Sequence, residues 1–305
     1  DKLRPWDLAV DPHDRPTLRP FTDAAELEAG VARIFSQLSP ELGGQFERLR
    51  ADCLDLASRP HKAPGGYCSF LPRTGLPYIF MNAVGTHGDV QTMLHEGGHA
   101  FHDLASFGCQ PLAWNWGASA EFAEVASMGM ELLAGPYLEA SKGGFYSDAD
   151  AARARAEHLE GIIHFLPYMA VVDAFQHWVY VEAPENVTAA NLDAHWEALW
   201  ERFMPGVNWA GLEAERMTGW HRKLHIFQAP FYYVEYGLAQ LGALQLWRNA
   251  QTDAGATLAA YQNALALGHT RPLPELYAAA GARLAFGADT VGELIRLAAP
   301  AREAV

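Results

Sequence analysis

The residues with the clearest capacity for chemistry lie in the stretch Gln91-Thr-Met-Leu-His95-Glu96-Gly97-Gly98-His99-Ala-Phe-His102, which contains the pattern H-E-x-x-H. Residues four apart share one face of an α-helix, so His95 and His99 can both offer an imidazole nitrogen to a single metal ion. Glu96 flanks that face, where its carboxylate can reach a water in the open metal position. A metal such as zinc lowers the pKa of a bound water from 15.7 toward about 7, and a neighbouring carboxylate takes the proton as that water attacks a carbonyl.

The helix around the motif reads as buried, because Val90, Met93, Leu94, Ala100, Phe101 and Leu104 supply apolar positions. A buried helix carries His-Glu-His at a cost unless something satisfies those groups. Gly97-Gly98 is poor helix-forming sequence, at roughly 0.8–1 kcal/mol per Gly relative to Ala, so close packing is expected to require small residues there. A catalytic zinc takes three protein ligands and leaves one position for water. A third His at the metzincin spacing would fall at 105, where the chain has Ala105. The remaining ligand is therefore expected from a second helix, capped by Ser119 and covering 120–133, which carries Glu121, Glu124 and Glu131. Glu124 is the best placed, being flanked by Ala123, Val125 and Ala126 in a stretch that must be buried. Glu121 or Glu131 is left to orient a ligand imidazole. His102 reads as a structural hydrogen-bonding residue, since a fourth protein ligand would leave no place for water.

Those helices need a sizeable core around them, and 305 residues that are 50% hydrophobic can supply one. A formal charge of −14 with no run of Lys or Arg argues against nucleic acid and anionic membranes as partners. No apolar run reaches the ~18–20 residues needed to span a bilayer. Asp1-Lys-Leu-Arg-Pro-Trp6 has neither an initiator Met nor a signal-peptide pattern, so a processed or truncated chain is expected. Cys53, Cys68 and Cys109 have unrelated spacings, which suggests a reducing compartment, the cytoplasm.

In chain order, residues 1–20 are irregular, broken by Pro5, Pro12, Pro16 and Pro20. Thr22 or Asp23 caps a helix to about Leu38, and a second helix is expected from about Pro40 to Ser58. Tyr67–Leu71 and Leu76–Asn82 read as a hairpin after the glycine turn Gly65-Gly66, with Pro77 placing the second strand at a sheet edge. Such an edge could pair with an extended peptide. Asp89 is expected to cap the motif helix. A long helix from Ala151 to about Val181 holds His158, His164 and His177, read as structural, with Pro167 as a kink. Further helices are expected at 189–203, from Pro230, at 255–267, at 274–281 and at 290–297. No repeat or linker divides the chain, so one domain over 1–305 is expected.

Together these stretches identify a resemblance. His95-Glu-Gly-Gly-His99-Ala-Phe-His102, then Glu121-Phe-Ala-Glu124-Val-Ala-Ser127 with Glu124 25 positions past His99, resembles the thimet oligopeptidase and oligoendopeptidase F zinc peptidases. Lys62-Ala-Pro-Gly-Gly-Tyr67, Phe80-Met-Asn82 and Trp220-His-Arg-Lys-Leu-His225-Ile-Phe-Gln-Ala-Pro230-Phe-Tyr232-Tyr233-Val-Glu-Tyr236 resemble the oligoendopeptidase F branch.

The resemblance implies a mainly α, zincin-like catalytic domain with a small antiparallel β-sheet beside the active-site helix. It implies one zinc ion on His95, His99 and Glu124, Glu96 as general base, and His225 holding substrate or the tetrahedral intermediate. Alignment on the paired tyrosines makes Tyr232 the oxyanion donor, whereas alignment backwards from Tyr236 selects Tyr233. Tyr233, Tyr236, Phe80 and Asn82 are expected to contact the substrate. The expected activity is that of a zinc metalloendopeptidase on short unfolded oligopeptides. Family members look like longer chains whose N-terminal helical part is missing from these residues, so that portion is expected as a separate chain or not to be needed. The rival readings are a zinc carboxypeptidase using Arg222 or Lys223 to bind a terminal carboxylate, and a non-catalytic zinc-stabilised peptide-binding module.

Overall fold

A computed structural model of the chain describes residues 2–11 and 13–303. Pro12 lies outside the described residues. Helices dominate: α1 (Ala24–Leu38), α2 (Pro40–Arg50), α3 (His87–Cys109), α4 (Ala120–Ala134), α5 (Asp148–His177), α6 (Ala189–Phe203), α7 (Glu213–Met217), α8 (Leu224–Gln228), α9 (Tyr233–Ala250), α10 (Ala254–Leu267), α11 (Leu273–Ala279) and α12 (Ala288–Glu303). Three strands, β1 (Leu54–Ala57), β2 (Tyr67–Leu71) and β3 (Leu76–Ala83), come between α2 and α3. The mainly α class with a small sheet is as expected from sequence. Contacts divide the chain into two compact units, Asp1–Thr17 with Glu160–Gly237, and Leu18–Leu159 with Leu238–Val305.

The larger unit is built around α3. Asp23 caps α1 by accepting from the Glu26 amide, and α1 then lays Leu27, Val31, Ile34 and Phe35 into the core. Phe35 meets Phe101 of α3 edge to face, with centroids 4.7 Å apart. Asp89 does not cap α3. The cap is Thr86, and the Asp89 carboxylate reaches back to the Thr86 and Val84 amides at 2.8 and 3.0 Å, giving a capping box. Ser119 does precede α4, but without a side-chain cap bond.

The sheet differs from expectation in two ways. Helix α2 stops at Arg50, and 54–57, expected to continue it, forms β1 parallel to β3. Leu49, Cys53 and Leu56 keep a helical spacing while Leu54 and Leu56 alternate as in a strand, and pairing with β3 decides between the two periods. The strand order is therefore β1-β3-β2, a mixed sheet, and β3 is central rather than an edge. Pro77 is tolerated there because pairing with β1 begins only at Leu54↔Ile79, beyond the proline. Strands β2 and β3 pack on α3, with Ile79 and Met81 turned into the core.

The smaller unit centres on Trp196 of α6, which is fully buried and meets Phe175 edge to face at 5.2 Å. Residues near the N-terminus join it through a parallel bridge between Leu3 and Val207. Pro5–Ala9 form a 3-10 turn, a small departure from the irregular segment expected. Pro230 does not open the tyrosine helix. A turn through Phe231, at φ +64°, precedes α9, and the Phe231 amide is held by the Gln176 side-chain oxygen at 2.8 Å.

Candidate metal centre

In the larger unit, α3 presents His95 and His99 one turn apart, and α4 crosses beside them. The close crossing depends on Gly98, where a Cβ would stand 2.5 Å from the Ala126 carbonyl oxygen and 2.6 Å from Ser127 Cα. Only glycine allows that approach. Gly97 faces the other way, where a Cβ would stand 2.5 Å from the Phe35 ring. The two helix-weakening residues thus set α3 against α4 and α1.

With α4 so placed, the buried Glu124 brings Oε2 to 3.4 Å from His95 Nε2 and 3.6 Å from His99 Nε2. The three ligand atoms all lie within 4.8 Å of one another, and no other such cluster occurs among the described residues. Metal–ligand bonds of about 2.0–2.1 Å at tetrahedral angles put neighbouring donor atoms roughly 3.3 Å apart, so this spacing fits a zinc-sized ion. Two imidazoles and one carboxylate are also a donor set suited to zinc. Burial pushes His99 down to about 4, so its ring is neutral and free to ligate. Burial opposes charge on Glu124 too, yet the two imidazoles and the Ser127 hydroxyl, 3.0 Å away, hold it below the usual carboxylate range.

Of the two carboxylates left open to orient a ligand, Glu131 does so. Its Oε1 is 2.6 Å from His95 Nδ1, and its Oε2 is 2.8 Å from His158 Nε2. Burial would raise its pKa, but the bonds to the two histidines bring it down to about 2. Burial opposes charge on His95, yet the Glu124 and Glu131 carboxylates hold its imidazole up to about 10; a metal would displace the Nε2 proton, and the carboxylate on Nδ1 would then keep the tautomer whose Nε2 lone pair faces the metal position. His158, read as structural without a partner, instead completes this chain of bonds. Its only sequence signal was a histidine within a helix that must pack somewhere, which does not name a partner.

Glu96 is 6% exposed, and burial pushes its carboxyl up to about 7 while the Cys68 backbone amide bonds to it. With Gly66, Gln91, Thr92, His95 and Glu131 it lines a cleft of about 410 Å³. Strand β2, the edge strand on that side of β3, therefore starts at the mouth of the centre. Phe80 and Asn82, expected to meet substrate on a free edge, sit on central β3: Phe80 is paired on both sides, and Asn82 Nδ2 donates to the Ala63 and Gly65 carbonyls at 2.9 Å each. His102 is buried and faces Phe122; it was expected to be a structural hydrogen-bonding residue, but among the described residues no hydrogen bond reaches its Nε2, and its ring packs instead.

In the smaller unit, His225 on α8, Tyr232 and Tyr236 line one cleft of about 280 Å³. Tyr236 Oη is 3.4 Å from His225 Nε2, and the rings of Tyr232 and Tyr236 meet at 5.2 Å. Tyr233 does not belong to that cleft. It was expected to contact substrate, but it is buried against Phe165 and Tyr168, and its hydroxyl accepts from Lys223 Nζ at 3.2 Å. Its ring still packs on His225 and Tyr236, with centroids 5.2 and 5.5 Å away, so it backs the cleft from the buried side, a difference that a run of aromatics hides.

Two imidazoles from an H-E-x-x-H helix, a carboxylate from the next helix and a buried glutamate beside them have the arrangement of an H-E-x-x-H metal centre. Comparison with known proteins agrees: the sequence profile of peptidase family M3 matches residues 1–293, and the chain belongs to that family. The chain superposes on PZ peptidase A, solved with an inhibitor, at a TM-score of 0.90 and 31% identity, covering 100% of this chain and 53% of that one. A protein assigned as an oligoendopeptidase F gives 0.90, 32%, 100% and 53%. Another, from Bacillus anthracis str. Ames, gives 0.82, 28%, 100% and 51%. The chain thus spans about half the length of these solved structures. No curated protein sequence matches it.

Proposed function

We propose that the protein is a zinc metalloendopeptidase that hydrolyses internal bonds of short unfolded peptides. The observation that carries this reading is the convergence of His95, His99 and Glu124 at donor spacing with the buried Glu96 carboxyl beside them. A zinc ion there supplies Lewis acidity, bringing the pKa of a coordinated water toward about 7.

The protein's own groups do the rest. Glu131 holds His95 in the ligating tautomer. Glu96 takes the proton of the attacking water and later delivers it to the leaving amine, and a carboxyl pushed up to about 7 is matched to both tasks near neutral pH. The extended substrate pairs with the outer edge of β2, which is the terminal strand of the sheet among the described residues. On the resemblance of residues 220–236, His225 and Tyr232 donate hydrogen bonds to the developing oxyanion, an interaction stronger in the transition state than in the ground state, and Tyr236 lines the substrate path. The cytoplasm is its proposed compartment. All three cysteines are free thiols, and among the described residues no helix is long and apolar enough to cross a membrane.

The carboxypeptidase alternative loses one of its two cations, because Lys223 is spent on the Tyr233 hydroxyl and the Tyr168 ring. Arg222, which is exposed, remains. A zinc-loaded sample is offered an internally quenched peptide with a blocked C-terminus. Cleavage that falls by about 10²–10⁴ in Glu96→Gln, with metal content unchanged, is the expected result. An intact blocked peptide alongside trimming of a free C-terminus would establish the carboxypeptidase. Peptide binding unaltered by Glu96→Gln, with no hydrolysis by either protein, would establish the binding module.

A further inference from the structure

A buried ammonium sits in the small sheet, away from the metal ligands. The Lys62 side chain is 1% exposed. Its Nζ lies 2.9 Å from the Asp55 carbonyl, 3.0 Å from Asp55 Oδ1, 2.9 Å from the Ala57 carbonyl and 2.5 Å from the Met81 carbonyl. It also stands 4.4 Å from the centre of the Phe80 ring. The register of β1 on β3 slips between Asp55 and Ala57, and the ammonium enters at that slip to join the two strands. Burying a lysine costs several kcal/mol unless it is paired this fully, and an apolar side chain would fill the space more cheaply. A task beyond filling is indicated.

The task lies in the turn that Lys62 begins. Residues 61–66 bend tightly, and His61 and Gly65 both take positive φ there, +66° and +101°. Lys62 fixes the start of the turn. Asn82, at the end of β3, fixes its other half through the Ala63 and Gly65 carbonyls. Beyond those anchors Gly66 lies against α3, where a Cβ would stand 3.3 Å from Thr92 Cγ2, and it lines the cleft with His95 and Glu96. Tyr67 then opens β2 with its ring stacked on Phe80, centroids 5.0 Å apart.

We propose that Lys62 is a positioning residue for the peptide substrate: with Asn82 it clamps the 61–66 turn and so sets Gly66 and the start of β2 at the mouth of the metal centre. The proposal rests on the peptidase reading above. Lys62 touches neither Glu96 nor a metal ligand, so loosening the clamp weakens peptide binding and leaves the chemical step alone.

The test compares wild type with Lys62→Met, Asn82→Ala and, as a control, Arg59→Met, which pairs with the same Asp55 but is 54% exposed and bonds to no β3 carbonyl. Turnover of the blocked, internally quenched peptide and zinc content are measured, together with binding of the same peptide to the Glu96→Gln background. Lys62→Met and Asn82→Ala are expected to raise KM, and Kd in the inactive background, by about tenfold, with kcat per bound zinc held and Arg59→Met unchanged. A merely structural lysine would lower kcat and zinc content together at constant KM, and that result overturns the proposal. So does wild-type KM in both variants. If Lys62→Met does not fold, Asn82→Ala alone decides. A wild type that turns over with both variants unaffected removes this inference only, whereas a wild type that neither cleaves nor binds the peptide removes it and the peptidase reading together.

Discussion

Glu131 shows how much a single side chain can settle. Each of its oxygens is taken by a different histidine, His95 on one side and His158 on the other, and it is largely enclosed between them. Replacing it with Gln leaves a group that can accept from only one of the two rings and no longer carries charge. Metal affinity is expected to fall by about 10–100-fold, as it does where such orienting carboxylates are lost, and competition with a chromophoric chelator measures it. His158→Ala is expected to have a smaller effect in the same direction, because it acts on His95 only through Glu131.

A second residue-scale expectation concerns acid. Asp55 is held down to about 2, first by the Arg59 bond, against the opposing effect of burial, and then by Lys62. A carboxylate depressed on folding contributes stability that is fully present above its unfolded value of about 3.9 and is lost as pH falls through about 2. Asp55→Asn should therefore flatten the stability profile between about pH 4 and pH 2 and leave its shape near neutrality. Urea midpoints taken across that range provide the measurement, and a wild-type slope retained in the variant would show that Asp55 is not the group responsible.

At the scale of elements, the α3–α4 crossing carries the site. Gly98→Ala forces a Cβ into the Ala126–Ser127 backbone, which cannot move aside as a flexible side chain can. The helices must separate, at a cost of about 1–3 kcal/mol, and Glu124 moves away from the imidazoles with them. Gly108, on the same helix, has nothing within 4 Å of a Cβ, so Gly108→Ala should instead stabilise by up to about 1 kcal/mol. Chemical denaturation of the two variants, read beside zinc titration, tests whether the glycines differ as the packing says.

The same elements show what the sequence could reveal. His95, His99, Glu96 and Glu124 were legible because helical spacing places the first three, and an apolar surround makes an acid at 124 costly without a cation. Glu121 and Glu131 could not be separated, since both share a helix with Glu124 and the choice depends on where α5 places His158. Strand β1 was hidden because Leu49, Cys53 and Leu56 carry a helical spacing through the alternating pair Leu54 and Leu56, and only the presence of β3 decides. Pro77 misled for a related reason: it rules out a ladder donor at one position, not a central place for the rest of the strand. Tyr233 was indistinguishable from its neighbours until Phe165 and Tyr168 were seen to enclose it.

For the whole molecule, all three proposed metal ligands and the residues that orient them fall in one of the two compact units, on α3, α4 and the first part of α5. Zinc binding should therefore be felt as stability of that unit. A ligand present at about 1,000 times its Kd stabilises the folded form by roughly 4 kcal/mol, because it binds a site that the unfolded chain does not hold together. Removing the ion with a chelator is expected to lower the melting temperature and to raise amide exchange chiefly along α3 and α4. Exchange in α6 and α7, which supply no ligand, should change little. Glu124→Ala should make the melting temperature indifferent to zinc, because two imidazoles on one helix cannot tie α3 to α4. Equal loss of protection in both units on chelation would instead mean that the ion governs the fold of the entire chain.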